Sequence, residues 1–350
     1  MLLTEKSQEK IVKEGRDMDI EFHYFITYIL SRKAGFDEED AFKIAYSSQY
    51  TDDNKFHYFV NYEDGGHFLN EISQTMDITK PSLKRQKIYP LFHFIPGGKE
   101  SEETCTLKCG ETKCFVTIPN NKNAQMLLKD AVNSGNLYRI GIAIHAFADT
   151  WSHQNFIGFE DKANARIGIT GLIPNIGHAD FFHEPDKIHN EWKDTRLEKR
   201  KSIINNDERF LDAAKQIFIY VYRFKHPGSD DDMAASKYKE LNLEKQLKDA
   251  MDDSYFWGSD DKARIKAYKK ICNELKLKKY QYHPNTWRYD AVEKKEMELD
   301  LFDKYWAKNN FLESDWYKFQ KAVIAHRDYA LDKFMPLFEK AGLVHSFSIL

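Results

Sequence analysis

Apolar positions recur at intervals of three and four along most of this chain, which is the spacing of a buried helix face. From Asp19, the residues Phe22, Phe25, Ile26, Ile29 and Leu30 trace one such face, and Gly35 ends it. A second helix is predicted over Glu38–Tyr50, with Ala41, Phe42, Ile44 and Ala45 inward, stopping at Thr51-Asp52-Asp53-Asn54. Helices resume at Asn123–Val132, Leu137–Phe156 and Ser202–Phe224. Residues 233–280 predict exposed Lys/Glu-rich helices, and Asp290–Lys340 long amphipathic ones through Tyr305, Trp306, Trp316, Phe319, Val323 and Phe334. Between them, residues 55–100 look irregular or weakly extended and 158–190 loop-rich. Residues 101–120 predict a small inserted β-hairpin turning near Gly110. The pattern predicts a mainly α multi-helix bundle, one domain over 18–350 behind a loose leader at 1–17.

Composition narrows the class. The chain has 350 residues, 42% hydrophobic and 31% charged, with a net charge of -3, so it can bury a sizeable core and presents no general basic surface. No nucleic-acid motif is present, and the basic run Leu197–Lys201 reads as a solvated helix face. The first residues lack the apolar centre of a signal peptide, and no run approaches the roughly 20 apolar residues of a membrane span. These features predict a soluble, cytoplasmic protein without a transmembrane segment; oligomeric state is not readable. Cys105, Cys109 and Cys114 cluster at spacings of four and five that do not match paired zinc knuckles, and read as incidental thiols in an insertion.

The chemistry concentrates in Leu137–Phe156. His145, Asp149 and His153 stand four apart in an otherwise apolar run, and at about 3.6 residues per turn each step of four advances only about 40°, so all three share one face. Two imidazoles and a carboxylate inside a core are costly without a partner, and a metal ion is the simplest one. Nine of the 13 histidines fall between residues 23 and 189, beside conspicuous acids. Asp52 and Asp53 oppose the helix dipole at a C-terminus, a local conflict that points to function. The predicted ligands are therefore His23, Asp52 (or Asp53), His145, Asp149, His153 and His178, with Asp149 bridging. Imidazole and carboxylate donors suit zinc, with manganese or iron as alternatives, at one to three ions. A hydrogen-bonded polar network with no metal is the competing explanation of the same residues.

The segment His145-Ala-Phe-Ala-Asp149-Thr-Trp-Ser-His153-Gln-Asn155 resembles the H-x3-D-x3-H-x-N motif of the zinc-dependent phospholipase C superfamily, in its heterokaryon-incompatibility-like branch. That superfamily also holds the fungal single-strand nucleases. MDIEFHYFITYILSRKAGF, AYSSQYTDDN, YPLFHFIPGG and IPNIGHAD are similar to an uncharacterised bacterial family of this type, the resemblance covering roughly residues 18–196. It implies an all-helical fold with a zinc cluster in a cleft. His145, Asp149 and His153 match the central ligands, Asp52 the acid after an early helix and His178 a later ligand. His67, in a Gly-Gly turn, matches the histidine after that acid, with His57 its rival; His93 is a further histidine in the same segment.

Three departures stand out. Secreted members use the amino group of an N-terminal tryptophan, which nothing here supplies, leaving His23 to take part of that place. They also separate the motif's Asp and second His by six positions rather than four. Their final His-x3-acid pair is missing: His178 is followed at +4 by Phe182 and His189 by Lys193, leaving Asp180 or Asp186 to compensate. The expected function is a metal-dependent phosphoesterase acting on a lipid head group or a nucleotide. The alternative is a non-catalytic helical protein braced by a structural metal or polar network. An HD-type phosphohydrolase is set aside, because it needs an adjacent His-Asp dipeptide and the chain has none.

Overall fold

The run Leu137–Ser152 is apolar on every side, so the helix it forms has to be enclosed by other helices. In the computed structural model, which describes residues 20–75, 88–107, 111–166, 176–252, 261–277, 282–295 and 304–343, this helix is the centre of the fold. The leader at 1–17 and Cys109 lie outside the described residues. The chain is mainly helical. The element α1 opens as a π-wound stretch, Glu21–Ile26, and continues as α-helix over Thr27–Lys33; α2 is Glu38–Asp53. After β1 (Phe59–Asn61) and β2 (His67–Leu69) come α3 (Ile88–Phe92), α4 (Lys99–Thr104), α5 (Lys122–Ser134) and the central α6 (Leu137–Ser152). A two-stranded ladder of β3 (Glu191–Lys193) and β4 (Ile203–Asn205) leads into α7 (Asn206–Lys225). Then follow α8 (Asp231–Glu240), α9 (Leu243–Met251), α10 (Asp261–Glu274), α11 (Thr286–Ala291), β5 (Val292–Lys295), β6 (Lys304–Ala307) and α12 (Asp315–Lys340).

Helix α6 packs against α2, α5, α7 and α12. Its start is set by Asn136, whose side chain accepts the Arg139 N–H at 3.1 Å. It stops at His153, and the chain turns through Asn155, which takes a positive φ of 69°. The contact with α2 is unusually close because position 141 has no side chain. A Cβ there would lie 2.4 Å from the Ile44 carbonyl oxygen and 2.5 Å from Ser47 Cβ. At the far side, Glu21 of the π-wound stretch is held by a fully buried ion pair with Arg264 of α10 (Oε1–Nη2 3.0 Å). That pair anchors the turn on which His23 sits.

Two expectations fail locally. The expected turn at Gly110 lies outside the described residues, but no strand forms on either side of it: 101–107 and 111–120 are the end of α4, a 3-10 turn at Glu111–Phe115 and a segment tied to the Gly97–Gly98 corner. There Gly97 N–H donates to Val116 O (3.1 Å) and Gly98 N–H to Cys114 O (2.8 Å), burying Cys114, Phe115 and Val116. The polar alternation read as strand is thus a helix followed by a core-facing turn. The described residues 292–295 and 304–307 are not helical either; as β5 and β6 they join β1 and β2 in a sheet of order β2-β1-β6-β5, with β1 parallel to β6 and Val60 opposite Tyr305. Pairing partners so distant in sequence leave no local signal. No helix among the described residues is long and apolar enough to cross a membrane.

Gly141→Ala should therefore wedge α2 from α6 and cost about 1–3 kcal/mol, read as a lower urea midpoint by circular dichroism. Unchanged stability would mean that the two backbones have slack at this crossing.

Candidate metal centre

Five elements deliver polar side chains to one end of α6. His23 comes from the π-wound start of α1, Asp52 from the last turn of α2 and His93 from the residue after α3. His145 and Asp149 come from α6, with His153 as its C-cap; His178 and Asp186 come from the loop beyond. All but His178 are buried.

The inner group is tight. His93 Nδ1, His145 Nε2 and Asp149 Oδ2 form a triangle with sides of 3.0 Å (His–His), 3.0 Å (His93–Asp149) and 3.2 Å (His145–Asp149). Donors placed about 2.0–2.1 Å from a tetrahedral zinc ion stand about 3.3–3.4 Å from one another, close to these separations. Asp52 Oδ1 lies 3.6 Å from His145 Nε2 and 3.8 Å from His93 Nδ1. His23 Nε2 is 3.3 Å from Asp149 Oδ1, its ring lying against that of His145 at 3.9 Å between centroids. The outer group is His153, His178 and Asp186: His153 Nε2 to Asp186 Oδ1 is 3.3 Å and His178 Nε2 to Asp186 Oδ2 is 3.0 Å. These buried His/Asp groups could hold metal ions.

Backbone carbonyls decide which ring nitrogen faces the acids. A carbonyl oxygen only accepts, so His93 donates Nε2–H to Ser73 O (2.9 Å), His153 donates Nδ1–H to His93 O (3.1 Å) and His178 donates Nδ1–H to Phe182 O (2.7 Å). In each neutral ring the other nitrogen is then a bare lone pair, aimed at Asp149 or Asp186. Lone pair against carboxylate is repulsive unless a proton or a metal cation lies between. An N–H anchored on a carbonyl is also the outer arrangement that metal-bound histidines adopt. His23 Nδ1 and His145 Nδ1 are buried with no hydrogen-bond partner among the described residues.

Electrostatics separate His145 from the acids beside it. Burial, reinforced by neighbouring His23, pushes His145 down to about 3. Burial alone would raise the Asp149 carboxyl, yet His145, His153 and His23 around it hold it well below the usual carboxylate range. Asp186 is likewise pushed up by burial and brought down further by His178 and His153.

A cleft of about 240 Å³ opens onto both groups, with Asp52, His93, Asp149, His153, His178 and Asp186 at its base. Tyr89, Phe94, Ile176 and Phe182 give it an apolar wall. Phe182 has a strained backbone (φ 53°, ψ -127°) that accompanies its carbonyl's bond to His178.

The structure thus gathers His23, Asp52, His145, Asp149, His153 and His178. It does not bring His67 to them: His67 is exposed on β2 and stacks on Phe59 at 4.5 Å. His57 is exposed as well, its Nδ1 bonded to Asn70 O. The histidine of this segment that reaches the centre is His93, whose only sequence signal was its place in the apolar run between Pro90 and Pro96. The acid beside His178 is Asp186, not a residue at +4, while Asp180 accepts the Arg166 N–H.

Nitrogen-resolved NMR should find His93 as the Nε2–H tautomer and His153 and His178 as Nδ1–H. Two protons on each of these rings at neutral pH would make the contacts ordinary salt bridges. No curated protein and no solved structure matches the chain, so no relative of known activity ties it to the phospholipase C or nuclease enzymes. It belongs to DUF6765, a family of unknown function whose sequence profile matches residues 18–334.

Proposed function

We propose that this protein is a metal-dependent hydrolase of phosphoric esters, with zinc the ion its donors suit best. The observation that carries the reading is the orientation of His93, His153 and His178, each anchored by one N–H on a carbonyl with its second nitrogen directed at an acid. Protons could meet the same charge, but each would make a cation of a ring in a site where burial already drives His145 to about 3. Bound divalent ions would generate hydroxide from water near neutral pH and draw charge from phosphoester oxygens.

The chain's own residues then divide the work. His23, Asp52, His93, His145 and Asp149 would form the inner binding set, and His153, His178 and Asp186 the outer one. Asp149 turns one oxygen to His23 and the other to His93 and His145, so it is placed to bridge. The described lining of the cleft contains no Lys or Arg, so among the described residues the charge of an anionic ester would be met at the His/Asp end. The apolar wall suits the less polar part of such a substrate, whether the remainder of a lipid or a nucleobase. In the finer reading, for which the H-x3-D-x3-H run is the support, the chain is a divergent member of the zinc-dependent phospholipase C superfamily. Asp186 then serves where the +4 acid is replaced by Phe182.

Enclosure of the inner group favours one other reading, a structural metal with no turnover. Elemental analysis of protein purified without added metal separates them. About two or more equivalents, with cleavage of bis-p-nitrophenyl phosphate lost on chelation and restored by zinc or manganese, is the expected result. Asp149→Ala should lose metal and about 100-fold or more in rate while keeping its helical circular dichroism. One tightly held ion at most, no turnover and a collapse of Tm on chelation would establish the structural reading.

A further inference from the structure

We infer that Asn54 is a positioning residue that orients His93 and Asp52 toward the metal, an inference that rests on the metal reading above. Asn54 ends α2 two residues after Asp52, with its backbone N–H on Tyr50 O (2.9 Å). It is buried, and its amide is fully used. Nδ2–H groups donate to Glu71 O (2.9 Å) and Ser73 Oγ (3.2 Å), while Oδ1 accepts from Gln320 Nε2 of α12 (2.9 Å) and Asn70 Nδ2 (3.4 Å).

The consequence lies at Ser73. Its N–H donates to Asn54 O (3.2 Å) and its hydroxyl to Thr51 O (2.8 Å), so the excursion over residues 55–72 returns to the end of α2 and is stapled there. With donor and hydroxyl committed to α2, the Ser73 carbonyl is held where it receives His93 Nε2–H at 2.9 Å. That bond leaves Nδ1 of His93 for Asp149 and the inner group. The next residue, Gln74, donates Nε2–H to Asp52 Oδ1 (3.2 Å), so the same stapled backbone also orients the acid. Asparagine suits this position because it offers two donors and a doubly accepting oxygen on a short stem. Aspartate has the same shape and neither donor.

The test uses the full chain loaded with Zn²⁺ or Co²⁺. Asn54→Asp and Asn54→Ala should weaken the inner group about 10–100-fold, measured by competition with a chromophoric chelator. They should change the visible absorption of the Co²⁺-loaded protein and lower kcat on bis-p-nitrophenyl phosphate more than they raise KM. The ion held by His153, His178 and Asp186 should remain. Should the Asn54 variants fail to fold, Gln320→Met, which removes one donor to Asn54 and keeps the packing volume, carries the same readouts with a smaller shift. Variants that melt earlier yet keep wild-type affinity and the wild-type Co²⁺ spectrum would reduce Asn54 to a brace of the fold. A wild type that binds no metal overturns both this inference and the reading beneath it.

Discussion

A carboxylate buried in an apolar helix must be met by positive charge or donors, and Asp149 is surrounded almost entirely by imidazoles, whose nitrogens satisfy it only through a proton or a metal cation between them. An ionised acid with no such partners would be prohibitively expensive in a core, so the position of Asp149 constrains everything packed around it. His145 and His153 come with it on α6, one turn either way. The remaining partners have to be delivered by α1, α2 and the segment after α3, which explains why these elements crowd one end of the central helix.

Delivery depends on backbone proximity. Gly141 lets α2 lie against α6 without an intervening side chain, and Asp52, at the last turn of α2, is thereby carried to His145. The π-winding of Glu21–Ile26 departs from ordinary helix geometry at the turn bearing His23, and the buried Arg264–Glu21 pair holds it there. Strands β1 and β2 contribute no group to the centre. Their excursion brings Ser73 and Gln74 back to the end of α2, beside Asp52 and His93.

The outer group shows how a pattern can be lost while its chemistry is kept. An acid one turn after His178 would need a regular helix there, and the chain instead makes a single 3-10 turn ending at Phe182. Phe182 supplies a carbonyl to one nitrogen of His178, and Asp186, further along the loop, faces the other. Phe94, stacked on His153 at 4.1 Å and backed by Phe156, Phe181 and Trp192, gives this loop a small apolar base of its own.

The sequence by itself determined the helices whose apolar repeat is local, above all α6 with its inward row of His145, Asp149 and His153. It also singled out Asp52, because an acid at a helix C-terminus is locally unfavourable. It could not choose among His57, His67 and His93, since each is a single histidine in an irregular segment and no short-range period says which turns inward. Nor could it show β6, whose partner β1 lies near the other end of the chain, or β5, which joins the sheet through β6. The tertiary structure decided those points, and it also decided the ring tautomers. The nitrogen a histidine presents depends on which carbonyl captures the other, and Ser73, His93 and Phe182 reach their rings only when distant segments have packed.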